Sequence, residues 1–220
     1  MTKLHNNILP INIPTTDGRA FPVRRLYCVG RNYADHVAEM GGNPKTSAPL
    51  FFTKSRETIV QNGALIPFPT KTENLHYEGE LVVALGQGNA IFGYGCGLDM
   101  TRRDLQAAAK DGGKAWDMAK NFDHSAPIGA LTPASEIDLT DATVETRLNS
   151  KVVQSAPLSH MIWSVENIIT SLSGFVTLAP GDIILTGTPA GVGPVQPGDE
   201  ISVSVTGLDT LSVSYATSTP

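Results

Sequence analysis

Three acids stand in a pattern that suits a hard metal ion. Glu78 and Glu80 alternate within His76-Tyr-Glu-Gly-Glu80, and Asp99 follows the apolar run Ile91 to Leu98. Three carboxylates offer oxygen ligands for Mg²⁺ or Mn²⁺ and leave positions open for water and substrate. The same alternation also describes an exposed sheet face, where glutamates are ordinary, and an acid after Gly97-Leu98 can equally cap a helix or end a turn. A second group is His36 and Glu39, which share a face if their segment is helical. The imidazole can then accept a proton near neutral pH while the carboxylate orients it, although unrelated pairs at this spacing are common on surface helices. Lys120 is a candidate for stabilising developing negative charge, against the plain reading of a solvated lysine. Arg103 and Gln106 can grip a substrate carboxylate or simply join a helical surface network. Thr186-Gly-Thr-Pro-Ala-Gly-Val-Gly193 offers hydroxyl and backbone donors in a tight loop able to cradle an anion. It lacks both the Gly-Lys-Thr ending of a P-loop and the Gly-x-Gly-x-x-Gly dinucleotide fingerprint.

Elements that would position these groups can be read from periodicity and turn chemistry. Arg25 to Gly30 reads as a short buried strand, followed by a helix that Asn32 or Asp35 caps and Gly41-Gly42 ends. Pro49 to Ser55 holds a further strand core, while Ile66-Pro-Phe-Pro69 is a loop or an edge. His76 to Leu85 reads as one strand, with Glu78, Glu80 and Val82 on one face and Tyr77, Leu81 and Val83 on the other. Ile91 to Leu98 is the next strand, and Thr101 can cap a following helix with Asp104 at its third position. Short strand candidates follow at Ile137 to Leu148 and Lys151 to Gln154. Ser159 can cap a helix carrying Ile162, Val165, Ile169 and Leu172 at core spacing, with Gly174 beyond its end. Turn signals at Pro180-Gly-Asp182 and Pro197-Gly-Asp199 introduce a largely β C-terminal part, and Leu208 to Val213 adds a strand.

Length and composition set the outer bounds. A chain of 220 residues makes about one domain, and 41% apolar residues suffice for a core. Residues 1–20, broken by Pro10 and Pro14, read as an N-terminal arm with a short hairpin at Asp17-Gly18, and residues 21–220 as the main domain. The 16 Lys and Arg against 21 Asp and Glu leave a net charge of -5, which disfavours nucleic acid as a partner. Two cysteines, Cys28 and Cys96, make no disulfide framework and no CxxC pair. Neither a leader nor an apolar membrane span is apparent, so a soluble cytoplasmic protein is expected.

Taken together, four stretches resemble the fumarylacetoacetate hydrolase family: Cys28-Val-Gly-Arg-Asn-Tyr-Ala-Asp-His-Val-Ala-Glu39, His76-Tyr-Glu-Gly-Glu80, Gly97-Leu-Asp-Met-Thr-Arg-Arg-Asp-Leu-Gln106 and the loop 186–193. The resemblance runs from about Phe21 to the C-terminus and is strongest to the acylpyruvate and fumarylpyruvate hydrolase branch. It implies a mixed, predominantly β fold with short helices, a homodimer, and Mg²⁺ or Mn²⁺ held by Glu78, Glu80 and Asp99. His36 and Glu39 would act from a lid segment and Lys120 at the reacting centre. Arg103, Gln106 and Thr188 would orient a small 2,4-dioxo acid, and Lys54 would help to line the pocket. The implied reaction is hydrolysis of a carbon–carbon bond, with 3-fumarylpyruvate giving fumarate and pyruvate and no organic cofactor.

One feature departs from the family pattern. Only 18 residues separate Glu80 from Asp99, where family members usually carry a longer stretch with a short helix. Either the connection is compact or a segment is missing from it. Two other activities remain open on these residues, oxaloacetate decarboxylation and 2-oxo acid tautomerisation, and so does a non-enzymatic anion-binding module.

Overall fold

Residues 79–85 carry apolar side chains on both faces, and such a strand is stable only when covered on both sides. Leu81, Val83 and Leu85 enter one apolar cluster, and Val82 and Ala84 enter another. In the computed structural model, which describes residues 10–41 and 49–217, this strand lies inside a six-stranded sheet. The order is Thr132–Pro133, Ile91–Leu98, Gly79–Leu85, Asp182–Leu185, Arg25–Gly30 and Leu50–Lys54. The larger cluster fills the space toward a five-stranded sheet, ordered Lys151–Pro157, Thr143–Leu148, Glu200–Val205, Leu211–Tyr215 and Leu65–Ile66. There Ile201, Val203 and Val205 point inward while Ser202 and Ser204 point out. The smaller cluster is covered by a hairpin of Asn12–Pro14 and Ala20–Pro22, which turns at Asp17-Gly18 and buries Ile13 and Phe21.

Four short α-helices complete the described residues: α1 Ala34–Glu39, α2 Arg103–Asp111, α3 Asp117–Lys120 and α4 Val165–Ser173. None is long and apolar enough to cross a membrane. The starts of α1, α2 and α4 differ from the capping expected of the sequence, each time because a tertiary bond claims the capping group or the backbone first, and the sequence pattern does not predict α3. α1 begins after Tyr33 with no side-chain cap, because the Asn32 amide is occupied elsewhere: its Nδ2 donates to the Thr186 and Trp163 carbonyls and its Oδ1 accepts from Trp163 N–H. Its expected stop at Gly41-Gly42 lies partly outside the described residues, which resume at position 49. The same Asn32 bonds hold residues 162–163 out of a helix, so α4 is capped by Ser164, which accepts from Asn167 N–H, and not by Ser159. Thr101 pairs in a strand with His76, so α2 starts at Arg103, and Asp104 accepts from Thr72 and Glu73 instead of closing a capping box.

The strand expected over 76–85 is broken at Glu78. Leu75–Tyr77 joins a three-stranded sheet with Thr101–Arg102 and Gly193–Pro194, and Gly79–Leu85 joins the central sheet. Across the break Gly79 N–H donates to the Gln154 side chain at 3.0 Å. The short connection after Leu85 closes as a hairpin: Gly86 N–H donates to the Ala90 carbonyl at 2.8 Å, and Gly88 and Asn89 take positive φ. Its register sets Glu80 opposite Gly97 and Gly79 opposite Leu98. Asp99, one residue further, therefore falls beside Glu78 and donates its N–H to the Glu78 carbonyl at 2.9 Å. Eighteen residues thus suffice to bring the three acids together.

Gly79 is the tightest point of this arrangement, since a Cβ there would lie 1.9 Å from Thr146 Oγ1. Thr146 Oγ1 is buried and makes no hydrogen bond among the described residues. Gly79→Ala should cost about 1–3 kcal/mol by overpacking. Adding Thr146→Ala, which removes the clashing oxygen, should restore most of that loss in urea unfolding. Additive losses in the double variant would contradict the clash.

Candidate active site and metal centre

The hairpin register and the break at Glu78 direct three carboxylates into one buried cluster. An oxygen from each of Glu78, Glu80 and Asp99 lies within 4.8 Å of the others, and all three residues are buried. The alternative of an exposed acidic sheet face is thereby excluded. Like charges this close in a poorly solvated site repel strongly, so each needs a cation or a proton. Lys120 Nζ donates to Glu78 Oε2 at 2.8 Å and to Asp99 Oδ2 at 2.7 Å, and Arg103 donates to Glu78 Oε1 at 2.6 Å. Burial pushes the Glu78 carboxyl up, but Lys120 and Arg103 outweigh it and hold the group well below the ordinary carboxylate range. Lys120 is likewise pushed down by burial and, more strongly, up by Asp99 and Glu78, so it stays charged.

Glu80 is the exception. Among the described residues it pairs with no lysine or arginine, and its one strong donor is Gly187 N–H at 2.7 Å. Burial, then the neighbouring charges of Asp99 and Glu78, raise its carboxyl well above the usual range. Asp99 Oδ1 adds a second unmet demand. Lys54 Nζ is 2.9 Å away, but it donates to the carbonyls of Met100, Lys120 and Ser125, and Oδ1 receives no hydrogen bond. A hard divalent cation fits this donor set, since it would meet both demands and allow Glu80 to ionise.

α1 carries the proposed acid–base pair over the same pocket. His36 Nδ1 lies 3.0 Å from Glu39 Oε2. An ionised carboxylate only accepts, so Nδ1 carries the proton and Nε2 is the basic nitrogen. Glu39 Oε1 in turn accepts from Gly191 N–H at 3.1 Å. Gly191 has φ +99° and no room for a Cβ, which would sit 2.2 Å from the Val153 carbonyl. The loop 186–193 does cradle anions, but they are the chain's own: Gly187 holds Glu80 and Gly191 holds Glu39. Thr188 Oγ1 donates to the Gly79 carbonyl at 2.9 Å and accepts from Gln154 Nε2 at 2.8 Å.

His36, Glu78, Glu80, Arg103, Gln106, Lys120 and Thr188 all line one pocket. Arg103 Nη1 donates to Gln106 Oε1 at 2.8 Å, the pairing expected of their helical spacing. Lys54 lies beneath the pocket instead of on its wall, because its ammonium is consumed by three backbone carbonyls. Several residues of the site carry no signal that a short motif reveals. Gln154 bonds Gly79, Thr188 and the Pro189 carbonyl at once; its inward register on an alternating strand was the available clue. His76 borders Arg103, whose Nε lies 3.4 Å from His76 Nδ1. Partial burial, then Arg103, lowers the imidazole to about 4, so it is neutral near pH 7.

Comparison with known proteins places this geometry in context. The family model described as fumarylacetoacetate (FAA) hydrolase C-terminal matches residues 25–214. The fumarylpyruvate hydrolase of a Ralstonia species is 39% identical over 174 residues, covering 74% of this chain and 91% of its own. The human mitochondrial oxaloacetate tautomerase FAHD1 is 40% identical over 200 residues, covering 86% and 90%. The crystal structure of fumarylpyruvate hydrolase from Pseudomonas aeruginosa in complex with Mn²⁺ and pyruvate superposes with a TM-score of 0.93 at 39% identity, over 97% of this chain and 100% of that one.

Gln154 offers a direct test of how the glutamates are held. Gln154→Leu leaves the Gly79 N–H without its buried acceptor, at a cost of about 1–3 kcal/mol. By loosening the Glu78-Gly79-Glu80 segment it should weaken Mn²⁺ binding roughly 10–100-fold, measurable by calorimetry. Unchanged Mn²⁺ affinity would show that the pair is held without it.

Proposed function

The chain belongs to the fumarylacetoacetate hydrolase family, as a metal-associated enzyme acting on small keto-acids, and from that premise we propose that it hydrolyses acylpyruvates, with 3-fumarylpyruvate as the favoured substrate. The observation that carries this reading is Glu80, which among the described residues pairs with no lysine or arginine, within three convergent carboxylates and in a pocket that His36 also lines. Glu78, Glu80 and Asp99 would hold Mg²⁺ or Mn²⁺. The bound cation supplies Lewis-acid stabilisation of negative charge and a point of attachment for the 2-oxo acid end of the substrate.

The protein groups then divide the remaining work. Arg103 and Gln106 orient the substrate's oxygens, while Thr188, whose hydroxyl donates to the Gly79 carbonyl, lines the pocket and braces the Glu78-Gly79-Glu80 segment. His36, aligned through Nδ1 by Glu39, takes a proton from water at Nε2 as the water oxygen adds to the C4 carbonyl. Lys120, kept charged by its two carboxylates, stabilises the oxyanion that forms at C4. The C3–C4 bond breaks with its electron pair left on C3, which is protonated to give pyruvate, and C4 leaves as the new carboxylate, fumarate.

A second reading is tautomerisation of oxaloacetate, favoured by the 40% identity to the human tautomerase. It uses the same oxo-acid end and a proton transfer at C3, without water addition. Purified protein with Mn²⁺ or Mg²⁺, assayed on fumarylpyruvate, acetylpyruvate and oxaloacetate, separates the two. Release of fumarate and pyruvate is expected; no release together with rapid enol–keto exchange of oxaloacetate would reverse the assignment. His36→Ala should lower hydrolysis by about 10²–10⁴-fold. Glu80→Gln should weaken metal binding and turnover together, and full metal affinity in that variant would remove Glu80 from the ligand set.

A further inference from the structure

The pocket contains more positive charge than its carboxylates require. Lys120, Arg103 and Lys54 each contact an acid of the cluster. Arg31 and Lys110 also line the pocket, at its exposed edge, and among the described residues neither forms a salt bridge or donates a side-chain hydrogen bond. Burial first, then repulsion from Arg103 and Arg31, lowers the Lys110 ammonium against a weaker opposing pull from Glu78. Lys110 Nζ rests 5.0 Å from the centre of the Trp116 ring. Arg31 stands at φ 63°, an uncommon backbone state for a residue with a side chain and one that collects at functional sites. In a protein of net charge -5, two unpaired cations in one pocket mark a place for an anion.

Helix α2 sets the distance of that place from the carboxylate cluster. Arg103, Gln106 and Lys110 recur at positions i, i+3 and i+7, on one helical face, with Arg103 at the Glu78 end. Arg103 and Lys110 are therefore separated by roughly 10 Å along the axis. An extended seven-carbon diacid spans roughly 7–8 Å between its end carbons, and a four-carbon one about 4 Å, since each ~1.5 Å bond of the zigzag advances the chain by about 1.25 Å. We infer that Arg31 and Lys110 form a second anion subsite that binds the distal carboxylate of a long 2,4-dioxo dicarboxylic acid and selects it over monoacids and over short 2-oxo diacids. This rests on the acylpyruvate reading for its substrate class, and it names residues that read the far end of the molecule.

Arg31→Gln, Lys110→Gln and the double variant test the subsite, with circular dichroism to verify folding of these exposed changes. The ratio of kcat/KM for fumarylpyruvate over acetylpyruvate should fall at least tenfold in the double variant, chiefly through KM for fumarylpyruvate. The ratio of fumarylpyruvate over oxaloacetate should fall in the same direction. An equal loss on all three substrates, or no loss, would overturn the subsite. Calorimetric titration with fumarate and with crotonate gives a readout independent of turnover. The wild type should prefer the dianion, and the double variant should lose that preference; a retained preference would also overturn it. If the wild type cleaves no dioxo acid yet shows a fumarate preference that the double variant abolishes, the hydrolase reading fails and the anion subsite stands.

Discussion

Three buried carboxylates, with an oxygen of each within 4.8 Å of the others, are the constraint on which the rest of this structure depends. Two like charges about 4–5 Å apart repel by roughly 3–4 kcal/mol at an effective dielectric constant near 20, and burial adds a desolvation cost for each. The chain meets this with Lys120 set between Glu78 and Asp99, Arg103 set on Glu78, and Lys54 beneath Asp99. Glu80 is left with a backbone N–H and unrelieved repulsion. A hard cation would suit such a site because the protein's own cations are spent on Glu78 and Asp99 and leave Glu80 without one.

The neighbouring elements serve this arrangement. Asn32, Gln154 and the loop 186–193 make few contacts that a hydrophobic core would need, yet together they tie α1, the Glu78-Gly79-Glu80 segment and the root of α4 to one another. Gly187 holds a proposed metal ligand and Gly191 holds the orienter of the proposed base. One loop therefore fixes the two halves of the chemistry relative to each other, and Gly187 and Gly191 are there because each takes a positive φ and has no room for a Cβ. The polar network is costly if partly broken, because each group is buried and has few alternatives.

Much of the strand content was legible from alternation. Arg25–Gly30, Ile91–Leu98 and the faces of residues 79–85 follow directly from the apolar pattern, and the turn signals at 180–182 and 197–199 precede real strands. Helix starts were less legible. Thr101 and Ser159 are good caps by residue type, but a cap forms only where the backbone is free to turn, and distant bonds from His76 and Asn32 had already committed it. The same limit hid Gln154 and Lys110, whose roles arise from what they face and not from any local word. Lys110 could have been found by extending the Arg103 and Gln106 face by one more turn.

Residue types and their order determined the chemical inventory of this protein: hard oxygen ligands, an imidazole with an acid three residues on, cations at helical spacing, and a family resemblance carried by four ordered stretches. They could not say whether the acids meet. That was decided by the register of a short hairpin, which brings Asp99 beside Glu78, and by a break in a strand that the sequence pattern reads as continuous. Sequence spacing describes neighbours along the chain, whereas charge repulsion, desolvation and hydrogen bonding act through space. Only the tertiary structure could therefore show which carboxylate, among the described residues, pairs with no lysine or arginine, and which cations at the pocket edge form no salt bridge there.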